Sequence, residues 1–262
     1  MILDSLDAAA SEITLLGQTF PDLTMPQVAA RLSGRRADAP FCYVVTPNAD
    51  HLVRVSRDPR LHTIYRNAEL RLLDSRVVFG LGRLLGLTVP PVVTGSDLTA
   101  HLLAHHLRPG ERITIVGLEP AWLPALIERC GLARPAHYNP PLGFMDDPDA
   151  FDAAVAFIRS HPARFIFLAV GSPRQEYLAA AVQARGGATG TGLCVGAALE
   201  FLAGARRRAP RFMQRHGLEW LYRLAREPRR LFRRYLINSP NVVILLLKQR
   251  LAAGRSGPAL HL

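Results

Sequence analysis

Short apolar runs recur along the first two thirds of the chain, and longer segments with helical periodicity separate them. Four of these runs have the length and composition of buried strands: Phe41–Val45, Leu70–Leu73, Arg112–Val116 and Phe165–Val170. Continuous apolar strands that alternate with helices are typical of a parallel sheet whose two faces are both covered. The pattern therefore predicts an α/β fold with a mostly parallel sheet.

The remaining elements follow from helix and turn signals. Three helices are expected: from about Asp50, from Ser96 or Asp97 to Leu107, and from about Arg174 to Ala184. The glycines of 186–192 predict a flexible turn before the apolar segment 193–202. After Gly204 the composition changes abruptly to arginine, which predicts a boundary between a core, residues 1–204, and an appendage, residues 205–262.

Polar residues follow the predicted strands at the points where the strands end. Thr46 and Asn48 follow the first strand, Asp74 follows the second, and Gly171–Glu176 follows the fourth. Ligands of open α/β sheets bind at this edge, and these residues suit a nucleotide-sugar or a dinucleotide. The first strand is not followed by G-x-G-x-x-G, and no P-loop pattern occurs. Dehydrogenase and P-loop interpretations therefore lose their main support.

Several of these residues have two interpretations. Asp74 is either a general base or the cap of the next element, and Asp97 has the same ambiguity, with the following helix favouring a cap. Gly171–Glu176 either offers the free N–H groups of a helix N-terminus to a phosphate or forms an ordinary turn. His101 and His105 have the spacing of a metal pair but lack a third ligand, so we expect a solvated helix face and no metal site.

Positive charge is concentrated at the end of the chain. Residues 206–262 carry 14 Lys and Arg against two acids, whereas the net charge of the whole chain is +11. Arginines alternate there with large apolar side chains at helical spacing, which predicts basic amphipathic helices. Such helices favour a lipid surface, a lipid diphosphate or nucleic acid. Nucleic-acid binding also needs base-reading or stacking architecture, and none is visible in the sequence.

Three further features bear on location. The first residues, MILDSLDAAASEITLLG, contain no basic region before their apolar residues and make a poor signal peptide. No run approaches the ~20 apolar residues of a spanning helix. The three cysteines have neither a disulfide nor a zinc spacing and favour a reducing compartment. Together these features predict a soluble or peripherally attached cytoplasmic protein.

A more specific pattern combines the C-terminal segments with the strand-end residues. The C-terminal segments are Glu200–Gly204, Arg208–Pro210, Met213–Gln214, Gly217–Leu224, Glu227–Leu231 and Arg233–Leu236. Upstream of them come, in order, Thr46-x-Asn48, Asp74, Thr94–Leu98 and Gly171-x-Pro173-x-Gln175-Glu176. The whole set, from about residue 41 to residue 236, resembles the bacterial WecG/TagA/CpsF glycosyltransferases, glycosyltransferase family 26.

The resemblance implies a Rossmann-like core with a basic helical appendage at the C-terminus. It implies an inverting, metal-independent hexosyltransferase that needs no cofactor. The expected donor is a UDP-sugar, and the expected acceptor is a polyprenyl-diphosphate-linked sugar of bacterial surface or exopolysaccharide synthesis. The expected location is the cytoplasmic face of the bacterial inner membrane, where residues 205–262 meet anionic lipid. Nucleic acid is not an expected partner, and a homo-oligomer is compatible with the resemblance.

The resemblance also implies roles for single residues. Asp74 is the expected general base, with Thr46 beside it in the catalytic centre. The expected donor-binding residues are Asn48, Gly171, Gln175 and Glu200. The expected residues for the diphosphate and the acceptor are Arg223, Arg230 and Arg233. Asp97 is a further candidate site residue without an assigned role. Ser75 and Glu200 stand where the family usually has Gly and Asp, which leaves the transferred sugar open. The alternative classes are a Rossmann-like nucleotide-binding oxidoreductase and a nucleic-acid-binding protein that uses the basic tail.

Overall fold

A six-stranded parallel sheet organises the chain. The computed structural model describes residues 11–255, apart from the side chains of residues 230, 254 and 255. The strands are β1 Glu12–Leu15, β2 Gln18–Pro21, β3 Cys42–Val45, β4 Leu70–Arg71, β5 Thr114–Gly117, β6 Ala136–Tyr138, β7 Ala163–Ala169 and β8 Gly190–Cys194. The sheet order is β4–β3–β8–β7–β5–β6 with parallel neighbours throughout, and β1 and β2 form a separate antiparallel hairpin. The predicted α/β class is confirmed.

Helices connect the strands and continue to Arg255, the last described residue. They are α1 Met25–Gly34, α2 Ala49–Val55, α3 Pro59–Asn67, α4 Arg76–Leu84, α5 Gly95–His105, α6 Leu123–Cys130, α7 Pro148–Ser160, α8 Arg174–Arg185, α9 Ala198–Ala203, α10 Arg211–Arg215, α11 Glu219–Arg226, α12 Pro228–Phe232 and α13 Asn241–Arg255. A 3₁₀ turn, Pro120–Trp122, precedes α6, and a π-helical turn, Arg233–Asn238, follows α12. The three predicted helices are present as α2, α5 and α8.

The prediction of a flexible turn over residues 186–192 is wrong in its second half. Gly190–Cys194 is β8, a buried strand that lies between β3 and β7 in the middle of the sheet. Its glycines are required by close packing. A Cβ atom on Gly190 would lie 1.9 Å from the carbonyl oxygen of Ala163, and one on Gly192 would lie 2.6 Å from Cζ of Phe41. The two glycines therefore reflect contact with neighbouring atoms and not flexibility.

Helices cover both faces of the sheet. The helices that follow the neighbouring strands β3 and β8 pack on opposite faces. After β3, α2 and α3 contribute Val55, Leu61 and Tyr65 to a buried cluster shared with α7 and α8. After β8, α9 contributes Leu199 to a second cluster shared with α1, α5 and α6. A crevice opens outside the carboxyl ends of strands where the connections diverge in this way. The fold therefore places a ligand crevice beyond β3 and β8.

The C-terminal segment, residues 205–255, packs back onto the rest of the chain. Val242 and Leu246 of α13 are buried in a third cluster with residues of the β1–β2 hairpin, α2, the segment after β4, and α4: Leu15, Phe20, Leu52, Val53, Leu73 and Val78. The Oε1 atom of Gln249 accepts a hydrogen bond from the backbone N–H of Leu16 at 2.8 Å. The division into domains at Gly204 stays a prediction, and these contacts make α13 an integral part of the described fold.

Candidate active site

The polar residues expected at the strand ends lie around one crevice. Thr46 and Asn48 follow β3, Asp74 follows β4, and Gly171 and Gln175 follow β7. All five line a cavity of about 220 Å³ whose walls are mainly polar. We call it the polar cavity. Glu200 of α9 also lines it, so the structure brings together the whole predicted donor-binding set.

Asp74 is held at the edge of this cavity by the backbone. Its backbone N–H donates to the carbonyl oxygen of Pro47 at 2.9 Å, and its Oδ2 atom accepts from the N–H of Gly95 at 3.1 Å. The capping role belongs to Ser75, whose Oγ atom accepts from the N–H of Val78 at 3.2 Å. Burial raises the pKa of Asp74 to about 6, against the opposing effect of the Gly95 hydrogen bond. The carboxyl group is thus tuned to gain and lose a proton near neutral pH.

Thr46 and Gly95 bring the start of α5 against the end of β3. The hydroxyl of Thr46 is buried and donates to the carbonyl oxygen of Cys194 at 3.0 Å. A Cβ atom on Gly95 would lie 2.9 Å from Oγ1 of Thr46. Because Gly95 has no side chain, the start of α5 can lie this close to Thr46. The same position brings the N–H of Gly95 to the carboxylate of Asp74.

The start of α5 is capped by its own first residues. The hydroxyl of Thr94 accepts from the N–H of Asp97 at 3.0 Å and lies 2.8 Å from Oδ2 of the same residue. The cap is thus Thr94, where the sequence suggested Ser96 or Asp97. The other carboxylate oxygen of Asp97 accepts from Arg208 at 2.6 Å. Burial raises the pKa of Asp97, but the hydrogen bond and charge of Arg208 outweigh it and lower the pKa overall.

A buried hydrogen-bond chain runs beneath the polar cavity. The amide of Gln175 accepts from the N–H of Gly196 at 3.0 Å and donates to Oε1 of Glu176 at 3.2 Å. The hydroxyl of Tyr65 also donates to this oxygen, at 3.2 Å, and lies 3.5 Å from Nδ1 of His51. Burial raises the pKa of Glu176. The chain fixes Gln175 between the ends of β7 and β8.

The other ring nitrogen of His51 faces the basic C-terminal segment. Nε2 of His51 lies 3.3 Å from Nη2 of Arg234 and 3.4 Å from the amide nitrogen of Asn48. Because both neighbours are donors, this nitrogen must accept, and the ring is neutral. Burial, and then the charge of Arg234, hold the pKa of His51 well below its usual value, in agreement. Arg234 also pairs with Asp50, with 3.2 Å between Nε and Oδ2.

A second cavity, of about 420 Å³, adjoins the first. Its walls are mainly apolar, and we call it the apolar cavity. It lies between the start of α4 and α5 and the C-terminal elements α11, the π-helical turn and α13. Four residues line both cavities: Asn48, Asp74, Ser96 and Arg223. Asp74 therefore stands at the boundary between a polar and an apolar compartment.

Arginines of the C-terminal segment differ sharply in position. Among the described side chains, the guanidinium of Arg223 contacts the Phe201 ring, at 5.9 Å from Cζ to the ring centroid, and no carboxylate. Arg206 forms an ion pair with Glu200 at the polar cavity. Arg233 is exposed and lines neither cavity. The predicted diphosphate roles of Arg233 and of Arg230, whose side chain lies outside the description, stay predictions.

Sequence reasoning missed Arg234, Arg206 and Arg208 as cavity residues. The signal for Arg234 was ambiguous because two arginines are adjacent and the chain changes from α12 to a π-helical turn at this point. A π turn contains more residues than an α turn, so a projection with 3.6 residues per turn misplaces the residues within it. Arg206 forms an ion pair with Glu200, and Arg208 forms one with Asp97. The sequence pattern did not reveal these pairs, because the fold brings the partners together.

The histidines of α5, and His106 directly after it, line neither cavity. The rings of His101 and His105 are 4.9 Å apart, and His106 is 5.2 Å from His101. Within residues 11–255, no group of three or more His, Cys, Asp and Glu side chains is placed to hold a metal ion. The same part of the chain contains no helix with both the length and the hydropathy needed to cross a membrane.

Cationic side chains around a crevice at strand ends define a site for an anionic ligand, and an apolar compartment lies beside it. The family model described as "Glycosyl transferase WecG/TagA/CpsF family" matches residues 13–256, and the chain belongs to this family. Membership indicates a glycosyltransferase of cell-surface polymer synthesis, in general with a nucleotide-sugar donor and a lipid-linked acceptor. This result favours the glycosyltransferase prediction over the oxidoreductase and nucleic-acid alternatives.

Proposed function

We propose that the protein transfers a sugar from a UDP-sugar to a polyprenyl-diphosphate-linked sugar, with inversion at the anomeric carbon. The observation that carries the proposal is the position of Asp74, which lines both the polar and the apolar cavity. A base at such a boundary touches a donor held on one side and an acceptor held on the other. Family membership supports the two substrate classes.

The polar cavity suits the nucleotide-sugar. Thr46, Asn48 and Gln175 offer hydroxyl and amide groups at the strand ends, and the backbone at Gly171 leads into the N-terminus of α8. The arginines Arg206, Arg223 and Arg234 line the same cavity. A guanidinium group can donate two parallel hydrogen bonds to phosphate oxygens. We therefore assign these arginines to the diphosphate of the donor and to the negative charge that develops on UDP as it leaves.

The proposed reaction is a single displacement. The acceptor hydroxyl oxygen forms a bond with the anomeric carbon from the face opposite UDP while the bond from this carbon to the UDP oxygen breaks. The hydroxyl proton passes to the carboxylate of Asp74, and UDP departs with the bonding electron pair. One displacement from the opposite face inverts the anomeric configuration.

The outer surface of the C-terminal segment supports a proposal of membrane attachment. Arg211, Arg215 and Arg229 are exposed there, interleaved with the exposed apolar side chains of Phe212 and Phe232. Basic residues near an anionic bilayer contribute on the order of 1 kcal/mol each. We propose peripheral binding to the cytoplasmic face of the bacterial inner membrane. A homo-oligomer stays a prediction.

The test is transfer from a panel of UDP-sugars to a synthetic acceptor that carries a diphosphate and a short prenyl chain. We expect at least one UDP-hexose or UDP-N-acetylhexosamine to give a glycosylated product, with the opposite anomeric configuration to the donor by proton NMR. A panel with no transfer, or a product with retained configuration, contradicts the proposal. NADH serves as a control ligand, because an oxidoreductase would bind it and a glycosyltransferase would not.

Transfer is expected to persist in EDTA. Arg206, Arg223 and Arg234 line the cavity proposed for the leaving group, so fixed cations are available to offset its negative charge. The measurement compares initial rates after EDTA treatment with rates after addition of Mg²⁺ or Mn²⁺. An absolute dependence on either ion would assign the leaving group to a metal and overturn metal independence.

A further inference from the structure

The apolar cavity has two kinds of wall. On the side of Asp74 it shares polar residues with the polar cavity. Arg76, Arg208 and Arg223 line this side together with the acidic residues Asp97 and Glu219, and Arg208 is paired with Asp97. The remaining wall is apolar and is built by α4, α11, the π-helical turn and α13: Val77, Leu81, Trp220, Leu236, Val242 and Val243. Its volume, about 420 Å³, falls within the ~300–1,000 Å³ of small-molecule sites.

Packed side chains hold the apolar wall in place. Val78 of α4 and Val242 and Leu246 of α13 are buried in the third cluster, which fixes two of the four elements that form the wall. Trp220 and Tyr235 meet edge to face across the cavity lining, with 6.2 Å between ring centroids. Packing therefore holds the compartment in shape from both sides.

We infer that this compartment binds the first isoprenoid units of the lipid-linked acceptor, next to its diphosphate. The inference rests on the proposed function. In such an acceptor the hydroxyl, the diphosphate and the hydrocarbon follow one another, and the cavity offers Asp74, the arginines and the apolar wall. A sugar or diphosphate alone leaves the apolar wall without a partner, whereas an isoprenoid chain covers it.

The rim of the cavity gives the hydrocarbon a way out. Leu236 and Val243 line the cavity and are 45% and 37% exposed, so they extend its apolar wall to the molecular surface. On α13, Ile244 and Leu247 are also exposed beside them. A long polyprenyl chain therefore passes from the cavity along these side chains towards a bilayer, while its first units stay inside the protein.

Trp220 provides a direct binding measurement because it lines the cavity and the other tryptophan, Trp122, lines neither cavity. In a Trp122→Phe variant we expect farnesyl diphosphate, below its critical micelle concentration and without membranes, to change the fluorescence saturably. Burial of hydrocarbon favours binding by on the order of tenfold or more per isoprene unit. Farnesyl diphosphate should then bind at least tenfold more tightly than inorganic diphosphate. Equal affinities overturn the inference.

A kinetic test uses acceptors with a methyl or a farnesyl group on the diphosphate. The farnesyl acceptor should have a KM at least tenfold lower, and Val243→Asp should reduce this ratio. Leu251→Asp is the matched control, since Leu251 is an exposed apolar residue of the same helix that lines neither cavity. An unchanged ratio in Val243→Asp contradicts the inference. If neither acceptor is glycosylated, the proposed function fails, and the fluorescence experiment still decides what the cavity binds.

Discussion

Replacement of Asp74 by asparagine is expected to lower turnover about 10²–10⁴-fold at pH 8, with donor and acceptor saturating. Asparagine keeps the shape of the side chain and accepts the hydrogen bond from Gly95, but it takes no proton from the acceptor hydroxyl. The effect is measured as kcat in a membrane-free assay. Near-normal turnover in Asp74→Asn would remove Asp74 from the role of base.

The pH dependence provides a second measure of the same group. Burial raises the pKa of Asp74 to about 6, and only the ionised carboxylate accepts a proton. The value of kcat/KM should therefore fall about tenfold per pH unit below pH 6 and level off above it, because this parameter reports the free enzyme. Residual activity of Asp74→Asn should lack this acidic limb. A limb that persists in the variant would belong to another group.

A stability measurement on Asp74→Asn distinguishes loss of the general base from loss of the folded structure. The pKa of Asp74 in the folded protein is raised above the ordinary value of 3.8, so the ionised carboxylate destabilises the folded state. This cost is absent below about pH 4 and fully present above about pH 6, where it reaches at most about 3 kcal/mol. Asp74→Asn should thus be at least as stable as the parent protein at pH 8, measured by urea unfolding. A large destabilisation at this pH would attribute lost activity to misfolding.

The sequence was most informative where one periodicity dominated. Buried strands such as Phe165–Val170 and the helix from Arg174 were predicted because apolar runs and helix starts are local signals. β8 was missed because its glycines have the composition of a turn. Close contacts with Ala163 and Phe41 require those glycines, and both contacts are distant in sequence. Local sequence patterns carry no information on such contacts between residues that are distant in sequence.

The candidate site was predicted in part for a related reason. Strand-end residues such as Asn48 and Asp74 were found because a parallel sheet places its carboxyl ends together. The apolar cavity was not predicted, since its walls come from α4 and α13, which are far apart in sequence and meet only in the third cluster. The choice between Arg233 and Arg234 likewise depends on a π-helical turn that the sequence pattern does not reveal.

The second large effect is expected at Arg223. It lines both cavities, and among the described side chains it contacts an aromatic ring and no carboxylate, so its positive charge is available to a ligand. Removal of one preorganised donor to a developing negative charge typically costs about 10²–10³-fold in rate. We expect a loss of this size in kcat/KM for Arg223→Ala, and a smaller loss for Arg223→Lys, which keeps the charge but not the paired geometry.

The matched control is Arg226→Ala, one turn later on α11, where the side chain is exposed and lines neither cavity. Without membranes this variant should retain near-normal activity, because its charge is already in solvent. Arg233→Ala tests the sequence prediction directly, and its exposed position leads us to expect a small effect. Equal losses in all three variants would show that activity follows the net charge of the C-terminal segment. Selective loss at Arg223 would show instead that the reaction depends on one guanidinium at the boundary of the two cavities.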